Sequence, residues 1–232
     1  MNGALKVLAF AFGALAAARA DTAYDTCLAA PGYINGTGNS SCHFTELTTT
    51  YGDGSLTLAL GVVLRYVGAV VPESGTGDYT VPVGNEPLPH SGALWGFPFS
   101  ITTSGDLVVG DFTYLLTVQD LTKGTTGTLT PATLGDNTYY TPAGGKTATE
   151  NLAVDTLLQN SEALMYPPLS TELNFNSFSP DTYLITLSAT PAVGPEVTMS
   201  ETVDAVTPEP AAMGLMAAGL LGILFAVRQR QR

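Results

Sequence analysis

Apolar and polar side chains alternate along much of this chain. Leu56, Leu58, Leu60, Val62, Leu64 and Tyr66 alternate with Thr57, Ala59, Gly61, Val63, Arg65 and Val67. Phe112, Tyr114, Leu116 and Val118 alternate with Thr113, Leu115, Thr117 and Gln119. Tyr183, Ile185, Leu187 and Ala189 do the same with Leu184, Thr186 and Ser188. Val197, Met199 and Val203 fall on one face, with Thr198, Ser200 and Thr202 on the other. A period of two puts one face of a strand into a core and the other toward water. The cluster Thr103, Ser104, Gly105, Asp106 predicts a turn from a strand ending near Ile101 into one starting at Leu107. Several such strands separated by turn clusters predict an all-β domain, mainly an antiparallel sandwich.

One stretch has a different period. Val154, Leu157, Leu158, Leu164 and Met165 fall at helical spacing, and Thr147 to Glu150 read as a capping box. They predict one short helix within 147–165. Gly144 and Gly145 just before it form the best internal boundary, and no internal repeat is evident.

The two ends are apolar in another way. Residues 1–6 are short and positively charged, residues 7–18 are apolar, and Ala18, Arg19, Ala20 fit a small-x-small cleavage pattern. Residues 1–20 therefore predict a secretory signal peptide cut between Ala20 and Asp21. The alternative is an uncleaved anchor. At the other end, 211–227 is a 17-residue run with no charge, followed by Arg228, Arg230 and Arg232. Its length sits at the lower limit for a membrane-spanning helix. Arginines at one end act as a membrane stop and favour the cytoplasmic side. The chain thus divides into a signal peptide (1–20), an exported β-rich domain (21–206) and a C-terminal sorting segment (207–232).

Charge sharpens this division. The chain carries −12 overall, but all 20 acidic residues lie between Asp21 and Glu209, where only Arg65, Lys123 and Lys146 are basic. That stretch carries −17. Phosphate binding needs clustered Lys and Arg, so nucleic acid is excluded as a partner. All 32 threonines lie within 22–207, which adds to the strand signal.

Cys27 and Cys42 are the only cysteines. In an exported protein an even pair predicts a disulfide, here closing a Gly-, Asn- and Ser-rich loop. The alternative is a reactive or metal-binding thiol, with His43 next to Cys42. Catalytic motifs are missing: there is no Gly-x-Ser-x-Gly elbow, no His-Glu-x-x-His, no P-loop and no dinucleotide glycine pattern. Only His43 and His90 could act as imidazole bases. His90 in a triad is the enzymatic alternative to a solvated loop histidine. Trp95, Phe97 and Phe99 alternate as core residues do, the alternative being a sugar-binding face. Acidic residues beside glycine (Asp53, Asp78, Asp106, Asp111) fit turn chemistry, with a calcium site shared between loops as the alternative. Asn35 and Asn39 begin acceptor triplets for N-glycosylation. No cofactor and no metal is expected.

Pro208, Glu209 and Pro210, the apolar run and the terminal arginines stand in the order of a PEP-CTERM sorting signal, which the tail resembles. Glutamines 229 and 231 interrupt the arginines, and Thr207 precedes the motif where Val is common. The resemblance implies export across an inner membrane and processing by an exosortase-type enzyme. It also implies an outer-surface, extracellular-matrix or secreted destination, in bacteria that often make extracellular polysaccharide. Pro208, Glu209 and Pro210 would be the recognition site. A plain membrane anchor is the alternative. For the domain itself the leading expectation is a non-catalytic surface or matrix protein. A carbohydrate-binding module and a secreted hydrolase are the alternatives.

Overall fold

A computed structural model describes residues 20–29, 40–90, 92–131 and 152–207. Its strands form two sheets. The first holds β1 (Ala20–Cys27), β2 (Cys42–Tyr51), β3 (Gly54–Gly61), β4 (Val63–Leu64) and β5 (Gly68–Ala69). It is completed by β7 (Trp95–Ser104) and β10 (Leu157–Ala163). β1, β2, β3 and β7 lie side by side, β10 covers the other edge of β7, and β4 links β7 to β5. The second sheet has the order β6 (Asp78–Pro82), β12 (Val197–Val206), β11 (Asp181–Pro191), β8 (Phe112–Asp120) and β9 (Thr125–Leu129). Pairing is antiparallel except for β6 with β12, which is parallel. One short helix, α1 (Pro167–Leu173), packs beside β9.

The period-two pattern explains why these segments pair. Leu56, Leu58 and Leu60 on β3, Phe97, Phe99 and Ile101 on β7, and Leu158 on β10 all turn inward. They meet Tyr114, Leu116 and Val118 of β8 and Tyr183, Ile185 and Leu187 of β11 in one continuous cluster. The two sheets therefore share one core, a sandwich-like arrangement. Each fully buried aliphatic or aromatic side chain contributes about 1.5–3 kcal/mol.

Three expectations are corrected. Within the predicted helix, Leu157–Ala163 is strand β10, paired with β7 from Leu157 opposite Thr102 to Ala163 opposite Gly96. Leu158 and Leu164 are buried while Val154 and Met165 are exposed, so the helical spacing marked no common face. Residues 132–151, with the capping box and Gly144-Gly145, lie outside the described residues. Among the described residues a seven-residue helix forms as α1, started by Pro167 and Pro168 at its first turn and ended by Asn174 in the left-handed region. Second, Gly105 makes the expected turn with φ +67, but no strand starts at Leu107. The chain instead crosses to the other sheet through a 3-10 turn (Val109–Asp111) before β8 begins. Third, the alternation from Leu56 breaks at Val62 and Val63, which are both buried, and Tyr66 is exposed at φ 63. Gly96 is required where β7 meets β10, because a Cβ there would lie 2.5 Å from the carbonyl oxygen of Glu162.

Candidate functional site

The sequence-predicted residues fall in three places. Cys27 and Cys42 form the disulfide, opposite one another on β1 and β2. Both sulfurs are committed there, which removes the metal-binding thiol. Ala20 and Asp21, flanking the predicted signal cut, are the first two residues of β1, opposite Thr49 and Thr48. Pro208, Glu209, Pro210, Arg228, Arg230, Arg232, the apolar run 211–227 and residues 1–19 lie outside the described residues, as do Asn35 and Asn39. Among the described residues no helix is long and apolar enough to cross a membrane. No group of three or more metal-ligating side chains occurs among them either.

The candidate chemical residues are dispersed. His43 Nδ1 lies 2.7 Å from Asp25 Oδ1 at the surface. His90 stacks on Tyr66 with ring centroids 4.0 Å apart, in an exposed loop. Trp95, Phe97 and Phe99 are core residues, so the sugar-binding face cannot be built on them. Asp53 and Asp106 sit in turns, and Asp111 Oδ2 accepts the Val108 N–H.

A cavity of about 340 Å³ opens on the outer face of the first sheet. Strand register builds its floor. Glu46 faces Ala59, Ala59 faces Ser100, and Ser100 faces Gln159 across β2, β3, β7 and β10. The next row runs Thr48, Thr57, Thr102 and Leu157. Leu28 and Ala29 form part of the wall. Small hydroxyl residues leave the space that larger ones would fill. Burial holds the Glu46 carboxyl above its ordinary pKa, with Thr26 pulling it back. Gln159, next to Ser100 on this face, is fully buried with neither amide atom paired. Such groups normally find a partner, so this face carries unused hydrogen-bonding capacity.

Three acidic sites inside the sandwich escaped the sequence reading. Lys123 Nζ donates to Asp120 Oδ2 at 2.8 Å and to Asp181 Oδ2 at 2.7 Å. Burial draws the lysine pKa down, but its bonds to Asp120 and Asp181 outweigh this and raise it. Glu162 stands opposite Phe97, and burial raises its pKa to about 7 against a partial offset from Arg65. Glu201 lies opposite Ile185 in the core with both carboxyl oxygens unpaired, and burial raises its pKa well above the ordinary value. Parity was the available signal: Glu201 shares the face of Met199 and Val203, and Asp120 that of Val118.

Residues 206–231 match the family model described as the PEP-CTERM protein-sorting motif. The match begins on the last residue of β12 and takes in the Pro-Glu-Pro triplet, the apolar run and all but the last arginine. The motif implies export, an exosortase as processing partner, and a surface or extracellular destination. No curated protein and no solved structure matches the chain.

Proposed function

We propose that this is an exported cell-surface or extracellular-matrix protein whose sandwich is non-catalytic. Its tail holds it in the inner membrane until an exosortase-type enzyme processes it near Pro208, Glu209 and Pro210. The observation that carries this reading is the position of the matched tail. β12 ends at Val206, and Thr207 alone separates it from the triplet. Prolines stand on both sides of Glu209, and proline disfavours helix. The non-catalytic reading is supported by the separate engagement of His43 with Asp25 and of His90 with Tyr66. Replacing Pro208, Glu209 and Pro210 by alanine is expected to leave the protein in the inner membrane fraction. Normal arrival of that variant at the cell surface would refute the reading.

The cavity on the first sheet favours a second reading, a carbohydrate-binding module. It is lined by Thr57, Ser100, Thr102 and Thr156, with one carboxyl and no Lys or Arg. That set suits a neutral polyhydroxylated ligand, and extracellular polysaccharide is the candidate source. A glycan array would show one sugar class bound by the wild type and lost in Ala59→Leu. Binding that survives Ala59→Leu, or no binding at all, sinks this reading.

A further inference from the structure

Strand direction fixes which loops share the end of the sandwich from which the tail leaves. β12 runs toward that end and stops at Val206. β6 runs parallel to it, so the connection from Pro82 to Trp95 starts there, and the Val83 N–H donates to the Val206 carbonyl. β11 is antiparallel to β12, so its start and the segment from α1 lie at the same end. β8 is antiparallel to β11, which places the β8–β9 turn there too. β7 starts at this end, with Trp95 against Tyr183, so the β4–β5 turn paired to it joins the group.

These loops carry exposed apolar side chains. Tyr66 and Val67 stand on the β4–β5 turn, Leu88 on the β6–β7 connection, Leu121 on the β8–β9 turn and Phe178 ahead of β11. Leu88 is 92% exposed and Phe178 62%, and Val206 is exposed at the point of exit. Single exposed apolar residues need no explanation, and Val154 and Val193 are exposed at the opposite end, but the larger share gathers at the tail-exit end. The described basic residues gather at the same end, where Arg65 pairs with Glu86 and Lys123 with Asp120 and Asp181. Arg65 and Lys123, the only Lys and Arg among the described residues, both belong to this end. The opposite end carries Asp53, Asp106, Asp111, Asp155 and Glu196 with no described Lys or Arg.

We propose that the tail-exit end of the sandwich is a bilayer-facing surface, whose apolar loop tips rest in the headgroup layer of a phospholipid membrane. The proposal depends on the reading above that 211–227 lodges in the membrane. Four residues lie between Val206 and Ala211, and the five Cα-to-Cα steps reach at most about 17 Å. The domain therefore cannot stand far from the bilayer, and the end with the apolar tips is the one held nearest. Apolar side chains bind at this interface by burial at the boundary between headgroups and acyl chains.

The test uses the full chain reconstituted in vesicles of phosphatidylethanolamine and phosphatidylglycerol with brominated acyl chains. Leu88→Trp, Phe178→Trp and Val193→Trp each add one indole, and the wild type supplies the background from buried Trp95. The expected result is at least twofold stronger quenching at positions 88 and 178 than at 193. A chain that pellets with the vesicles yet shows no excess quenching at 88 and 178 overturns the proposal alone. A chain that stays in the supernatant overturns the membrane reading as well, and the proposal with it.

Discussion

Replacing Glu162 by glutamine tests how the sandwich tolerates a buried acid. Glu162 stands on the inward face of β10, opposite Phe97, and is 8% exposed. Burial lifts its pKa from 4.5 to about 7, with Arg65 as a partial counterweight. The folded protein therefore holds this proton more tightly than the unfolded chain does. The resulting stability is complete below about pH 4 and is lost as pH rises toward 7. At 1.36 kcal/mol for each pKa unit, the loss is about 3 kcal/mol. Glutamine keeps the shape and a group for the Asn160 Nδ2 donor, which lies 3.3 Å from Glu162 Oε1, but cannot ionise. Urea unfolding of wild type and Glu162→Gln at pH 4, 6 and 8 gives the comparison. The variant's stability relative to wild type is expected to rise by about 3 kcal/mol from pH 4 to pH 8. The difference is the quantity to read, because the excess of acidic residues gives both proteins a pH dependence of their own. A change below about 0.5 kcal/mol would refute the argument. Glu201→Gln should change in the same direction, since that carboxyl is fully buried and its pKa is raised by burial.

Two further outcomes follow from the same structure. Lys123→Met leaves Asp120 and Asp181 buried without their shared cation and is expected to cost about 3–5 kcal/mol, read as a lower urea midpoint; a loss under about 1 kcal/mol would show that the lysine is dispensable. Replacing both Cys27 and Cys42 by serine opens a loop with a sequence separation of 15 and should cost about 3 kcal/mol; unfolding that does not respond to the change would contradict the role given to this link.

The strands that sequence patterning placed best are those with one face in the core and one in water. β8, β11 and β12 keep the parity read from Phe112, Tyr183 and Val197 because nothing interrupts their ladders. β10 shows no strand period because its residues serve different neighbours. Leu158 enters the core, Leu157 lines the outer cavity, and Gln159 is buried between strands without a polar partner. No local period records the free edge of β7, which is what recruits this segment into a sheet. Leu107 failed as a strand start for a related reason: after Ser104 the chain changes sheets, and the crossing uses a 3-10 turn. Glu201 is not legible as a core residue because a carboxyl between Met199 and Val203 looks like an interruption of an apolar face. The structure makes it a member of that face. The outer cavity was not legible at all, since its floor consists of small residues from four strands brought together only by register.

The core lies clear of both ends of the chain where cuts are expected or proposed. The shared core extends from Leu47 to Ala205, so neither the predicted signal cut nor processing at the triplet takes a core side chain. Loss of Ala20 removes one rung, opposite Thr49, from an exposed edge strand that Cys27 still ties to β2. Cleavage anywhere beyond Thr207 leaves β12 whole between β6 and β11. The two cuts also fall at opposite ends of the sandwich, because β1 starts beside Thr49 near the β2–β3 turn while β12 ends beside Pro82. The end from which the tail leaves is therefore the one with the apolar loop tips, and the start of β1 lies at the other. The sorting segment is separable from the domain because the last strand has finished its pairing before the triplet begins.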